Sequence, residues 1–492
     1  MAAAPGLTVE SIDLFERDVR LRMPFRFGVV TLTAAPQAYA RVRIGLADGR
    51  SAVGASAELL APKWFDKDQS LSNDDNFDQL RCALAIARDG YLGHGSATAW
   101  GHFERNYPVQ FDRAAERGLN RLVAGFGPAL IDRAIVDALC RALDEPFHRV
   151  VASNRIGLAP TALCPDLADF DADAFLAGLA RPVSPGGHAL AWPPTSIAAR
   201  HTVGLVDPIR AGDLREPVGD GLPETLEDVV RVYGHRWFKL KVGGRVDEDI
   251  ERLASIAAVL DTIDGPYHAT LDGNEQYDDV DGVLALWDRM QRDRRLARLV
   301  ESIVFVEQPI RRSAALSRDV GALSAKKPVI IDESDDALDA FVRARDLGYD
   351  GVSSKTCKGL YKSMINQARC RRWNAAASRS HAYLMSAEDL TIQPGLALQQ
   401  DLALVSLLGI THVERNGHHY VDGMATLPAA EQAAFLDAHP DLYERSHGAV
   451  RVRIREGMLA IGSLSCAGYA SGAMPDWTTM RPMALDGWKA RA

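Results

Sequence analysis

Five short runs rich in β-branched or aromatic residues contain HRWFKLKVGG, YHATLDGNEQY, SIVFVEQPI, KPVIIDES and DGVSSKTCKG, and each ends on an ionisable side chain. Lys239 and Lys241 close the first, Asp272 the second, Glu307 the third, Asp332 the fourth and Lys355 the fifth. Helix-like stretches such as EDIERLASIAAVLDTI and DDALDAFVRARDLGY separate most of them. Strands alternating with helices build a parallel sheet whose faces are covered. A strand buried on both sides gains nothing by ending on a charge unless the charge is used. In a closed (β/α) barrel the C-terminal strand ends converge on one face, so such charges meet there. Eight strands are expected, near 202–206, 236–241, 267–272, 303–307, 328–332, 350–355, 374–379 and 410–415. That alternation favours an α/β class chain with a closed TIM-type barrel over an open sheet.

The chain of 492 residues is long enough for such a barrel and a second domain. Residues 7–58 read as β structure with an Asp48-Gly49 turn, and 74–147 as helices, so 1–150 is expected to be a separate α+β unit. Six prolines and Gly186-Gly187 mark 151–200 as a connection or insertion. The barrel is expected over 201–425. The segment 426–492, with the strand-like run AVRVRIREGMLAI, is expected to return and cover the first domain. A formal net charge of −9 argues against nucleic acid or an anionic membrane as partner. Six cysteines without a CxxC pair point to free thiols in a reducing compartment. With no leader-like N-terminus and no apolar run of membrane-spanning length, a cytoplasmic enzyme is expected.

Asp272, Glu307 and Asp332 are spaced by 35 and 25 residues, close to one β/α unit per step. Any one of them could simply cap the following helix. All three in register offer hard oxygen donors that suit Mg²⁺, with Mn²⁺ as a substitute, better than zinc. Strand alternation sends Lys239 and Lys241 to one face. Mutual repulsion and burial there should lower at least one of their pKa values, and a lysine that loses its proton near neutral pH is a general base. Lys355 is expected across the barrel, so that two amines approach opposite faces of one carbon. Lys358 is expected to face outward or bind backbone. His381 follows the expected seventh strand, and Glu414 ends the eighth. His412, Arg415, Asn416, His418 and His419 crowd that last loop, where they could contact substrate, support the bases or pack on the N-terminal domain.

The ordered set KLK, DGN, VEQP, IDES and the K-x-x-K beginning at Lys355 resembles the enolase superfamily, in its mandelate racemase and muconate lactonizing enzyme branch. The resemblance spans most of the chain. It implies a modified (β/α)₇β barrel with an N-terminal α+β capping domain completed by the C-terminal segment. It further implies Mg²⁺ on Asp272, Glu307 and Asp332, a small carboxylate substrate, and a homo-oligomer. Lys241 would remove the α-proton, Lys239 would tune it or neutralise the enediolate, and Lys355 would serve as the opposite base or a cationic stabiliser. MPFRFG around Arg26 and WFDK at 64–67 resemble mobile capping loops, which makes Arg26, Phe27 and Trp64 candidate substrate contacts beside Asn274 and Glu414. Two departures leave the second base open between Lys355 and His381. Gly359 stands alone where lysine-type members commonly carry two glycines, and His381 resembles the seventh-strand histidine of the racemase type. The leading expectation is a racemase, epimerase or cycloisomerase. The alternatives are an acid-sugar dehydratase with His381 as the acid, and a non-catalytic binding protein that keeps the barrel.

Overall fold

A computed structural model describes residues 3–27, 30–180, 191–376 and 382–489. Strands β1 (Leu7–Phe27), β2 (Val30–Leu46) and β3 (Ser51–Leu59) form an antiparallel sheet. Along β2, buried Val42 and Ile44 alternate with more exposed Arg41 and Arg43, the period-two pattern of a sheet with one covered face. The Asp48-Gly49 turn joins β2 to β3, with Gly49 at φ 87°, where a side chain would be strained. Helices α1 (Asn73–Leu92), α2 (Ala99–Glu116) and α3 (Arg121–Leu143) follow. Ser72 and Asp75 form a capping box at the start of α1, and the Asn120 side chain caps α3. The helix α3 lies so close to β3 that a Cβ on Gly54 would come within 2.2 Å of the Ala134 carbonyl oxygen. Its apolar residues are buried nearly all round, as expected for a helix covered on both sides.

Eight parallel strands then run in the spatial order β10-β9-β8-β7-β6-β5-β4-β11. They are β4 (Ser196–Val203), β5 (Trp237–Lys241), β6 (His268–Asp272), β7 (Ile303–Glu307), β8 (Val329–Ile331), β9 (Gly351–Ser354), β10 (Leu384–Ala387) and β11 (His412–Arg415). This is the TIM-type barrel with its antiparallel cap. Three expectations need correction. The first barrel strand lies at 196–203, earlier than 202–206. The seventh lies at 384–387, and a helix runs to Ala376, into the start of the stretch expected to be strand. The run at 449–461 adds no strand to the cap sheet: β13 (Ala449–Val452) pairs with β12 (Tyr443–Ser446), and β14 (Met458–Ala460) pairs with β4. It is β15 (Arg481–Pro482) that adds to the cap sheet beside β1. Among the described residues, no helix is long and apolar enough to cross a membrane, and all six cysteines are free thiols.

Candidate active site

Parallel pairing sets Lys241 beside Asp272, and Asp272 beside Glu307, so three charged strand ends form one row. Phe238 and Leu240 turn into the apolar layer under the helices. Alternation therefore sends Lys239 and Lys241 inward together, and both are buried. The Lys239 ammonium lies 2.9 Å from Asp272, 2.8 Å from Glu307, 2.7 Å from Glu388 and 3.0 Å from Glu414. Lys241 pairs with Asp272 Oδ2. On the other side, Lys355 Nζ donates to Asp332 Oδ2 at 2.6 Å and lies 4.3 Å from the Trp64 ring centroid.

Lys239 does not have the lowered pKa expected of at least one lysine on β5. Burial works to lower it, but the attraction of Asp272, Glu307, Glu388 and Glu414 together holds it well above the ordinary value. Burial likewise opposes charge on Lys355, and Asp332 outweighs it, so that pKa is raised too. For Asp332, burial favours the neutral acid, yet Lys355 and Lys358 hold its pKa far below the usual carboxylate range. Glu307 goes the other way: burial, then Asp272 and Glu388, push it well up. Of the two expectations for Lys358, facing outward fails and binding backbone holds: its Nζ donates to the Asp332 carbonyl oxygen at 3.2 Å. It is buried, 3.3 Å from Asp332 Oδ1 and 3.1 Å from Asp335 Oδ2.

The cavity between cap and barrel is small, with about 20 Å³ open to the centre of a water-sized molecule. Lys239, Lys241, Asn274, Lys355 and Glu414 line its floor, and Phe25, Leu32, Ala61, Trp64 and Leu390 give it apolar walls. A larger, solvent-open groove between Pro24 and Arg252 contains none of the charged strand ends, so chemistry rather than size locates the site. Arg312 anchors the Trp64 segment by donating to the Trp64 and Phe65 carbonyl oxygens at 2.7 and 3.1 Å while paired to Glu275. Glu58 on β3 accepts from Thr356 Oγ1 at 2.9 Å and pairs with Arg133, tying the cap to the loop after β9.

Of the expected substrate contacts, Asn274 lines the cavity and its Nδ2 donates to Glu333 at 3.3 Å. Glu414 accepts from Lys239, from Thr202 Oγ1 at 2.6 Å and from the Asp389 amide at 2.9 Å. Arg26 is exposed and does not line the cavity. His381 and the Phe27 side chain lie outside the described residues. Two buried groups escaped the sequence reading. Glu388 follows β10 directly, and Arg200 on β4 pairs with it. The run LMSAED carries the same strand-then-acid signal as the others, hidden by the misplaced seventh strand.

The donor chemistry suits a hard divalent cation. Asp272, Glu307 and Asp332 are carboxylates with no solvent exposure at adjacent strand ends, and Glu307 Oε2 is ion-paired to Lys239 at 2.8 Å. As they stand, the ligand atoms of the three do not all come within 4.8 Å of one another. Lys241 and Lys355 engage the two outer acids. A cation on all three would replace those ammonium contacts.

A capped α/β barrel with acids and lysines at its strand ends defines the class of this protein. Residues 221–461 match the family described as enolase C-terminal domain-like. The barrel region is thus an enolase-type C-terminal domain, and the capped fold is that of mandelate racemase and muconate lactonizing enzymes. No curated protein matches its sequence significantly. Among solved structures it is similar to a mandelate racemase/muconate lactonizing enzyme, at 14% identity over 97% of this chain and 100% of that one, TM-score 0.59. It is also similar to a muconate lactonizing enzyme from Mucobacterium smegmatis complexed with muconolactone, at 16% identity over 96% and 98%, TM-score 0.58. A third is a dipeptide epimerase from Cytophaga hutchinsonii complexed with Mg and dipeptide D-Ala-L-Val, at 12% identity over 97% and 100%, TM-score 0.56. Identities this low establish a shared fold.

Proposed function

We propose that this enzyme removes the α-proton of a small carboxylate substrate, as a racemase, epimerase or cycloisomerase. The observation that carries the reading is that Lys241 and Lys355, on strands separated by β6, β7 and β8, line one cavity. Two amines on opposite sides of a bound carbon can each serve one stereoisomer. Asp272, Glu307 and Asp332 would hold Mg²⁺, which when bound supplies positive charge where the enediolate oxygen develops. Lys241 takes the proton, and Lys355 returns or removes one on the other face. Lys239, held charged by its four carboxylates, keeps the floor of the site electrically balanced and orders the acids. A base must be free of its proton, so Lys241 and Lys355 act once their carboxylate partners are otherwise engaged.

Phe25, Leu32, Ala61, Trp64 and Leu390 favour a substrate with an apolar distal group. A polyhydroxylated acid sugar would leave hydroxyls without partners against those walls, which speaks against the dehydratase alternative. The test is α-hydrogen exchange in D₂O, followed by NMR with Mg²⁺, across hydroxy acids, N-acyl amino acids, dipeptides and sugar acids. Exchange without elimination on an apolar carboxylate is expected. A 2-keto product from a sugar acid would overturn the reading, as would absence of exchange throughout the panel.

A further inference from the structure

On the opposite face of β4 from Arg200 and Thr202, three histidines close into a nearly equilateral group. The ring centroids of His201 and His235, His201 and His418, and His235 and His418 are 5.4, 5.4 and 5.3 Å apart. One nitrogen of each lies within 4.8 Å of one nitrogen of each of the others. Imidazoles bound to one tetrahedral ion through bonds of about 2.05 Å have nitrogens about 3.3 Å apart and centroids about 5 Å apart. The His201 Nδ1 to His418 Nε2 distance is 3.4 Å.

Tautomer and burial point the same way. His235 Nδ1 lies 2.9 Å from the Ala199 carbonyl oxygen, which can only accept, so Nδ1 carries the proton and Nε2 the lone pair. Metal-binding histidines are usually oriented by such a bond. His235 is 1% exposed, and its Nε2 has no hydrogen-bond partner; nor does His418 Nδ1. Burial disfavours the charged form of all three rings and pushes His235 down to about 4. The adjacent Arg22 guanidinium is neutralised by Asp220 at 2.6 Å.

We propose that His201, His235 and His418 form a transition-metal site for Zn²⁺ or a similar borderline ion, separate from the carboxylate centre. Nitrogen donors select such ions over Mg²⁺. The ion would join β4, the approach to β5 and the helix Gly417–Tyr420 after β11. Arg22 of β1 donates to the His419 carbonyl oxygen of that helix at 2.7 Å, so the same clamp would stiffen the footing of the cap.

The full chain, stripped with a strong chelator, is titrated with Co²⁺ in excess Mg²⁺ and then with Zn²⁺. One equivalent of Co²⁺ with visible d–d bands of a nitrogen-ligated tetrahedral ion, displaced by Zn²⁺, is expected. His235→Gln and His418→Gln should each weaken binding by at least about 100-fold, while Glu307→Gln leaves it unchanged. No stoichiometric binding, meaning an imidazole hydrogen-bonded pair only, overturns the proposal. So does binding that survives both histidine variants or is lost in Glu307→Gln. Circular dichroism in chelator checks each fold, and if His235→Gln does not fold, the less buried His418 decides. Because the readout is metal binding, it is independent of the proton-exchange assay.

Discussion

Glu388 Oε2 lies 2.7 Å from Lys239 Nζ, and the other oxygen of Glu388 is held by Arg200 on β4. The seventh strand thereby closes a cage of four carboxylates around one ammonium, all of them buried. Opposite charges this deep in the protein are tolerable only together.

Lys239→Met should therefore destabilise the fold by about 3–5 kcal/mol, since it leaves several buried carboxylates unpaired. Urea denaturation reads the effect as a lower midpoint at unchanged slope. A midpoint equal to wild type would show that the cage does not depend on this lysine.

Removing either proposed base should split the reaction. Lys241→Ala and Lys355→Ala should each abolish interconversion of stereoisomers, with a rate loss of roughly 10²–10⁴-fold, while each variant retains exchange on one isomer. NMR in D₂O on separated enantiomers distinguishes them. If Lys355→Ala exchanged both isomers at wild-type rates, Lys355 would not be the second base.

Mg²⁺ should stabilise the protein by about 2.7 kcal/mol at a hundred times its dissociation constant. The melting temperature rises accordingly, and Glu307→Gln should remove most of the rise. A variant that responds like wild type would place the ion elsewhere.

Acid should destabilise the fold through histidines buried in neutral form. His439, with no solvent exposure, has Nδ1 3.1 Å from Ser463 Oγ, and burial lowers its pKa from 6.5 to about 4. The unfolded chain takes up that proton first. The contribution of His439 is thus complete above about pH 6.5 and declines as pH falls toward 4, by up to about 1.4 kcal/mol per pH unit. Denaturation curves from pH 7 to 5 should lose this slope in His439→Gln, and an unchanged slope would show that His439 already protonates in the folded state.

The charged ends of β5 through β9 were legible because each follows a short apolar run whose period-two alternation fixes the facing of every side chain. Lys239, Lys241, Asp272, Glu307, Asp332 and Lys355 all come to the barrel interior or its mouth. The seventh strand was not legible. AAASRS opens on three alanines, the strongest helix formers, and the helix from Leu360 runs on to Ala376. Misplacing that strand concealed Glu388. The outward reading of Lys358 failed because no local pattern reveals that Asp332 and Asp335 lie close enough to bury it.

Local order along the chain determined the barrel, the cap and the list of ionisable strand ends, since each rests on spacing between neighbours in sequence. Which charge meets which was decided by tertiary structure alone. Residues as distant as Lys239 and Glu388, or His201 and His418, interact only after the sheet has curled and the cap hairpin has settled over it. The same closure set the protonation of these groups, because a side chain's pKa depends on the water it has lost and the charges it has gained.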